Sequence, residues 1–406
     1  METSFQVRMK ILFVALSGSI HTSRWISQIE DQGWDLYLFP SYDNLWINKD
    51  LQSVRYLIPF WSLFRLMDKL GIGEGYRLFY RVFVKFNYAL NNNYYEKRLN
   101  KCINKIKPDL IHSMETQGAG YLVNSVKIKY FKETSNFPIW WHVNWGSDFF
   151  IFGRIPHHKH QIQQLLANCD YYSCKCNRDV LLAKDLGYKN HILPVYPNSG
   201  GLKFDQIDAI TSNSIAPSQR RIIMLKGYQG WAGRALVGIR ALARCKDILS
   251  GYRIVIYTNT QAEDIKIASS LFFDETGIPI ELLKEHSDHS TILQYHSNAR
   301  LSIGLSMGDA ISTSLIEAMS VGSFPIQSNT SCANEWITDG ETGIIVPPED
   351  PEIIELAIRK AILDDNLVDN AAIINRIKVR TEIDYHKLKS MTIQTYLTLF
   401  NTKKDE

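Results

Sequence analysis

The chain has 406 residues, more than one hydrophobic core usually serves, so two domains are expected. Apolar residues make up 45% and charged residues 21%, which excludes a disordered or fibrous chain, and no apolar run is long enough to read as a membrane-spanning helix. The net charge of +3 hides a local surplus, because eleven basic and three acidic residues lie between Arg55 and Lys107.

In chain order, "METSFQVRMKILFVALSG" has the outline of a signal peptide, but its apolar stretch is short and Glu2 stands in the leader. "KILFVAL" is therefore read as a first buried strand. The loop "SGSIH" follows, then the helical "TSRWISQIEDQ", closed by Gly33, and the strand "WDLYLFP". Trp25, Ile26 and Ile29 share one helical face, as a helix lying on a parallel sheet requires. "DLIHSM", "FPIWWHVNW", "CDYYSCKC" and "NHILPVYPN" read as later strands separated by helices. After an irregular stretch at 198–218 a second series begins: strand "RRIIMLKG", helix "GRALVGIRALARC", strand "YRIVIYTN", helix "AEDIKIASSLFF" and strand "IPIELL". A loop and helix at 306–321, the strand "SFPIQS" and the amphipathic helix "PEIIELAIRKAILDD" complete it. Such alternation predicts an α/β chain of two doubly wound, Rossmann-like domains facing across a cleft. The predicted boundaries are 1–200, 201–385 and a C-terminal helix at 386–406 crossing back to the first domain.

Six cysteines in a chain this long do not make a disulfide framework. Cys174 and Cys176 are expected on one face of a strand, and with Cys169 they complete no zinc spacing, so buried free thiols and a cytoplasmic setting are expected.

In a doubly wound sheet, ligands bind beyond the carboxyl ends of strands, so the chemistry is sought at 17–21, 113–118, 145–149, 226–234 and 306–317. The densest of these is "SMGDAISTSLIEAMSVGSFPI", Ser306 to Ile326. Together with "DGETGIIVPPEDP" it resembles the donor-binding signature of the family-four retaining glycosyltransferases (glycosyl transferases group 1), which have the GT-B fold. The signature has a glutamate, seven residues, a second glutamate in a "LEAMA-G-P" context and a third further on. Here these places hold Asp309, Glu317 and Glu335. "PNSGG" at 197–201, "WGSD" at 145–148, "KPDLIHS" at 107–113 and the "SGSIH" loop extend the resemblance in order over the chain. "WGSD", "KGYQGWAGR" and "QSNTSCANEWI" point to the subset that builds bacterial surface polysaccharides such as lipopolysaccharide or capsule.

The resemblance implies a nucleoside diphosphate-sugar donor, with a glycan or lipid-linked glycan as acceptor. A helix N-terminus suits an anion, so the amides of Ser312, Thr313 and Ser314 are the expected diphosphate cradle, opening a helix at 314–321. Glu317 would hold the ribose diol; its rival reading is a capping box with Ser314. Asp309 takes the place of a sugar-site glutamate, or is a turn aspartate after Gly308. Lys226 and Arg234 match the family's phosphate-binding pair in reversed order and at longer spacing, or are solvated charges at a strand end. Gly18 belongs to the donor-facing loop, and His21 beside it faces donor or acceptor, or merely starts a helix. Trp145 replaces the family's histidine in "HGSD". Asp148 is either an acceptor contact, a catalytic candidate together with Asp309 and His21, or a helix cap; Glu115 and Gln117 are placed as acceptor binders by position alone, with Trp145 beside them.

No Asp–x–Asp occurs, so no cofactor or metal is expected. The reaction implied is retaining transfer by front-face substitution. A catalytically degenerate scaffold that binds nucleotide or glycan is the alternative, and a nucleotide-sugar epimerase a third reading. Residues 76–107 interleave aromatic and basic side chains. They suit either an anionic membrane at the inner face of the cytoplasmic membrane, or a helix with a buried aromatic face and a solvated basic one. Nucleic acid is not expected, since no recognition motif accompanies the charge.

Overall fold

A computed structural model describes residues 8–42, 48, 51, 53–71, 73–91, 93–132, 136–197, 200–258, 262–284 and 287–405. The leader-like residues 1–7 and positions 198 and 199 of "PNSGG" lie outside them. The chain divides into two compact units, unit 1 comprising 1–200 with 387–406, and unit 2 comprising 201–386.

In unit 1 the strands are β1 (Lys10–Ala15), β2 (Asp35–Pro40), β3 (Arg55–Tyr56), β4 (Leu110–Met114), β5 (Ile139–Val143), β6 (Tyr171–Ser173) and β7 (His191–Ile192). Among the described residues they form one parallel sheet of order β3-β2-β1-β4-β5-β6-β7. Helices cover both faces of such a sheet, which is why β1 reads as a nearly unbroken apolar run and why β1 and β4 are buried almost throughout, the polar His112 and Ser113 of β4 included. The first helix, α1 (Ile20–Ser27), starts where the Ser19 hydroxyl accepts from the His21 amide and buries Trp25 and Ile26. Helices α2 (Trp61–Lys69), α3 (Gly73–Leu90) and α4 (Tyr94–Ile106) fill the long connection from β3 to β4.

In unit 2 the strands are β8 (Ile222–Lys226), β9 (Arg253–Tyr257), β10 (Ile280–Leu282), β11 (Ala299–Gly304), β12 (Phe324–Ser328) and β13 (Ile344–Val346). Their parallel order is β10-β9-β8-β11-β12-β13. The helix Pro351–Leu363 shows how the sequence sets its own limits. Asp350 caps it by accepting from the amides of Glu352 (2.9 Å) and Ile353 (3.2 Å), Pro351 occupies the first turn, and Ile354, Ala357, Ile358 and Ala361 form its buried stripe.

The doubly wound pair of sheets is as the alternation predicted. The central strand β11 is not among the predicted elements, nor are the short β3 and β13. Ile29 is buried as expected but lies beyond the end of α1. Cys174 and Cys176 follow β6 instead of lying in it, and the Cys174 thiol points to the Cys176 carbonyl at 3.2 Å. All six cysteines are free thiols, five of them buried.

Both sheets reverse strand order at one place, between β1 and β4 in unit 1 and between β8 and β11 in unit 2. At such a switch point the loops leaving adjacent strands splay apart and open a crevice. The predicted site residues lie at or beyond these strand ends, except Trp145 and Asp148, which follow β5.

Candidate functional site

In unit 2 the post-β8 and post-β11 loops meet through charge. Lys226 ends β8 and is 8% exposed; its Nζ lies 3.2 Å from Asp309 Oδ2 and 3.3 Å from Ser312 Oγ, and 4.0 Å from the centre of the Tyr228 ring. Burial alone would pull the ammonium toward its neutral form, but the Asp309 carboxylate together with Tyr228 and Tyr257 outweighs this and raises its pKa. Lys226 is therefore not a solvated strand-end charge. The adjacent Gly227 is required by space, since a Cβ there would sit 2.2 Å from the Thr258 carbonyl oxygen.

The helix Thr313–Ser320 starts one residue before the predicted 314. Ser312 is its N-cap residue, and the Ser312 hydroxyl turns to Ser314 Oγ (2.9 Å) and Lys226, so no side chain caps the first turn. Lys226 therefore stands against the start of this helix. With Ser312 at the cap, the capping-box position falls on Leu315, and Glu317 lies a further two residues in. The capping box is thereby excluded. Glu317 is 5% exposed, and its Oε1 lies 2.6 Å from His289 Nε2. His289 opens the helix His289–Asn298 and is missing from the residues named by sequence. Twenty-eight residues separate the pair, and no local spacing announces it. Behind them His296 is fully buried, which brings its pKa down to about 4, and its Nδ1 lies 2.8 Å from Ser302 Oγ.

Arg234 follows the same loop as Lys226 but is engaged differently. Its Nε donates to Glu349 Oε1 at 2.7 Å, and its NH1 donates to the carbonyls of Gly233 and Gly230. The structure brings Lys226, Asp309, Ser312 and Ser314 together, whereas the Arg234 guanidinium is held by Glu349 and its own loop.

In unit 1 a chain of buried hydrogen bonds builds the post-β5 loop. Trp140 Nε1 donates to Ser113 Oγ (2.8 Å), Ser113 Oγ contacts His142 Nδ1 (2.9 Å), His142 Nε2 contacts Thr116 Oγ1 (3.2 Å), and Thr116 Oγ1 donates to Asp148 Oδ2 (2.7 Å). Trp140 can only donate and an ionised Asp148 only accept, so every proton is assigned. Ser113 donates to Nδ1, and His142 carries its proton on Nε2. Burial brings the His142 pKa down to about 3, so the ring stays neutral.

Asp148 is 4% exposed, and its carboxylate also accepts from the amides of Trp145 (2.9 Å) and Gly146 (2.7 Å). Asp148 is not the cap residue of the short helix Ser147–Phe150, which has Gly146 at that place; both of its oxygens accept hydrogen bonds that hold the loop. His142 likewise points into the interior. What the loop presents outward is Trp145, whose ring meets His21 edge-on at 5.4 Å, with Lys175 Nζ 5.9 Å from the ring centre. Gly18 lies on the partly exposed turn that leads into α1.

Glu115 is also spent internally. It takes a positive φ of 84° and accepts from the Gly118 amide at 2.8 Å and from the Ala119 amide, closing the turn Thr116–Gly120. The residue is 6% exposed, so its carboxylate is turned to these amides. Gln117 donates to the Asp148 carbonyl (3.0 Å) and borders a cavity of about 740 Å³ with Tyr42, Tyr95 and Tyr121.

Burial pushes Glu115 up to about 7 against the pull of the two amides. The folded state therefore binds its proton more tightly than the unfolded chain. That burial penalty is full above pH 7 and relieved as pH falls through 7 toward 4.5, by roughly 3 kcal/mol in all. Glu115→Gln is expected to flatten this part of the pH dependence of the melting temperature; an unchanged slope would remove Glu115 as its source.

Residues 275–378 match the family described as "Glycosyl transferases group 1". No curated protein sequence matches the chain. Among solved structures, sucrose-phosphate synthase from Thermosynechococcus elongatus is similar at 14% identity, covering 97% of this chain and 100% of that one, with a TM-score of 0.71. The Anabaena protein HepE in complex with UDP-glucose is 14% identical over 96% of this chain and 100% of its own, with a TM-score of 0.66. The lipopolysaccharide outer core galactosyltransferase WaaB, in its apo form, is 15% identical over 97% and 100%, with a TM-score of 0.64.

Proposed function

We propose that this chain, which has the GT-B fold and matches the glycosyl transferases group 1 over residues 275–378, moves a sugar from a nucleoside diphosphate-sugar to a hydroxyl of a glycan or lipid-linked glycan, with retention at the anomeric carbon. The observation that carries the reading is the cluster of Lys226, Asp309 and Ser312 at the β8/β11 switch point, with Glu317 buried one turn into the adjoining helix.

The diphosphate lies against the Lys226 ammonium and the uncapped first-turn amides of the helix Thr313–Ser320. Arg234 joins if it exchanges Glu349 for phosphate. Glu317, fixed by His289, accepts from the ribose diol, and Asp309 faces the donor sugar. In the transfer step the bond from the anomeric carbon to the diphosphate oxygen breaks on the face where the acceptor oxygen attaches. The acceptor proton passes to the departing phosphate, whose new charge Lys226 stabilises. Neutralisation is assigned to these groups, so the reaction needs no metal and withstands chelation. A lipid-linked acceptor in surface-polysaccharide synthesis, met at the cytoplasmic face, is the setting proposed.

HepE was solved with UDP-glucose, which makes UDP and UDP-sugars the first ligands to titrate. Glu317→Ala is expected to weaken the ribonucleoside diphosphate by roughly 10–100-fold, the worth of lost charge-assisted hydrogen bonds. The 2′-deoxy analogue should lose much less. Equal losses for both sugars would sink the ribose assignment. Product anomers read by NMR test retention, and nucleotide binding without any turnover would restore the scaffold reading.

A further inference from the structure

The helical hairpin of α2 and α3 has one face fastened to unit 1 and another left open. Phe64, Tyr80 and Val84 are buried in the core of unit 1. The opposite side carries large apolar residues in the open. On α2 and its C-cap these are Leu63, Leu66 and Leu70, spaced i, i+3, i+7; on α3 they are Phe79, Val82 and Phe86 at the same spacing, with Leu78 beside them. All are between 44% and 65% exposed. Those spacings put each set on a single helix face. Phe60, at the start of α2, is 53% exposed and meets Phe83 edge-on at 5.5 Å, which ties the two helices together.

Each stripe has cations beside it. Arg65 and Lys69 on α2, and Arg81 and Lys85 on α3, are exposed pairs spaced i, i+4. Helix α4 differs. Tyr95, Leu99 and Ile103 are buried and Lys97, Lys101 and Lys105 exposed, with no large apolar residue beside them. Within the expected 76–107 segment, then, α4 is an ordinary solvated basic face. The apolar exposure lies on α3 and runs back into α2, outside that range.

We infer that the α2–α3 hairpin is a docking surface for an anionic lipid bilayer, its leucines and phenylalanines entering the headgroup boundary while Arg65, Lys69, Arg81 and Lys85 meet the lipid phosphates. A contiguous apolar face this exposed needs a cover. The charge pattern selects which. A second copy docking through the same face would bring four cations against four cations, because a two-fold interface pairs a patch with itself. An anionic interface satisfies apolar stripe and cations together, as in helices that lie in the membrane plane. No helix among the described residues is long and apolar enough to cross a membrane, so the contact is with the surface. The inference stands apart from the transfer reaction, since partition onto vesicles reads it without any donor.

The test is sedimentation of the full chain with vesicles of phosphatidylcholine, or of phosphatidylcholine mixed with phosphatidylglycerol, at low and high salt. The wild type is expected on the mixed vesicles at least about tenfold more than on the neutral ones. Changing Arg65, Lys69, Arg81 and Lys85 together to glutamine should lower the partition about a hundredfold. Leu66→Ser, Phe79→Ser and Phe86→Ser combined should lower it about tenfold or more, leaving a weak, salt-sensitive remainder. These side chains are exposed, so melting temperatures should stay near wild type. Equal partition of the wild type onto both vesicles overturns the inference. So does a wild-type dimer in analytical ultracentrifugation that the serine variant dissociates, which would make the face a self-interface.

Discussion

Lys226→Met is expected to weaken nucleoside diphosphate binding by roughly 100–1,000-fold, a cost of about 3–4 kcal/mol, the usual scale for deleting one member of a buried charge pair. Two effects add. The diphosphate loses a charge-assisted donor, and Asp309, which has lost its ammonium at 3.2 Å, sets a negative charge against an incoming anion. The second effect separates this lysine from an ordinary phosphate contact. Without ligand, the cation is already neutralised by Asp309. The donor must therefore share or displace that pairing. Asp309→Asn alone should then tighten binding of the bare nucleoside diphosphate, because the lysine is freed, while slowing sugar transfer if the carboxylate orients the donor sugar. The double variant Lys226→Met with Asp309→Asn should recover about tenfold of the loss of the single lysine variant. Calorimetric titration with UDP and a UDP-sugar reads all four proteins. A double variant no better than Lys226→Met, together with an Asp309→Asn that binds no tighter, would show that the pair does not govern the anion site.

The residues of this cluster are legible in sequence because strand ends are. "RRIIMLKG" announces a buried strand, and the position after it in a doubly wound sheet is where ligands bind. The same reading misses β11, the partner that completes the switch point. "ARLSIG" is short, and Arg300 and Ser302 alternate with Ala299, Leu301 and Ile303, the pattern of a half-exposed strand instead of the unbroken apolar run of a central one. Arg300 is nevertheless 1% exposed, because its guanidinium donates to the carbonyls of Ser218, Ala361 and Ile362. Those partners are supplied by tertiary structure, and nothing beside Arg300 in the chain predicts them. The same holds for His289 with Glu317 and for Glu349 with Arg234. The capping box fails for the opposite reason. Its local pattern is present, but the helix starts at Thr313, which moves the cap to Ser312 and leaves Glu317 free of that duty. In unit 1, position alone sends Glu115 and Asp148 outward, whereas burial shows that both organise the loops that present Trp145 and His21.

Removing residues 387–406 is expected to leave unit 1 without a cooperative fold, and the reason lies in one hydroxyl. Tyr396, on the helix Tyr385–Asp405, accepts from Trp25 Nε1 at 2.8 Å and meets His112 Nδ1 at 2.6 Å; all three side chains are at most 1% exposed. The indole can only donate, so the Tyr396 proton goes to His112, which must be neutral at Nδ1 and carry its proton on Nε2. Burial keeps it so by holding its pKa well below the usual histidine range. The hydroxyl thus ties α1, strand β4 and the C-terminal helix into one network, with the His112 ring stacked on Trp141 at 4.0 Å. Tyr396→Phe strands a buried donor and a buried acceptor and is expected to cost about 2–4 kcal/mol. Trp25→Ala also opens a cavity against Tyr196, stacked on it at 5.8 Å, and should cost about 3–5 kcal/mol. Truncation removes Tyr396 together with the buried Leu388, Thr392 and Leu399, exceeding either. Scanning calorimetry should then show the unit 1 transition lowered in both point variants and absent from the truncated chain. A truncated chain that keeps both transitions, with Tyr396→Phe melting as wild type does, would mean that unit 1 closes its core without the C-terminal helix.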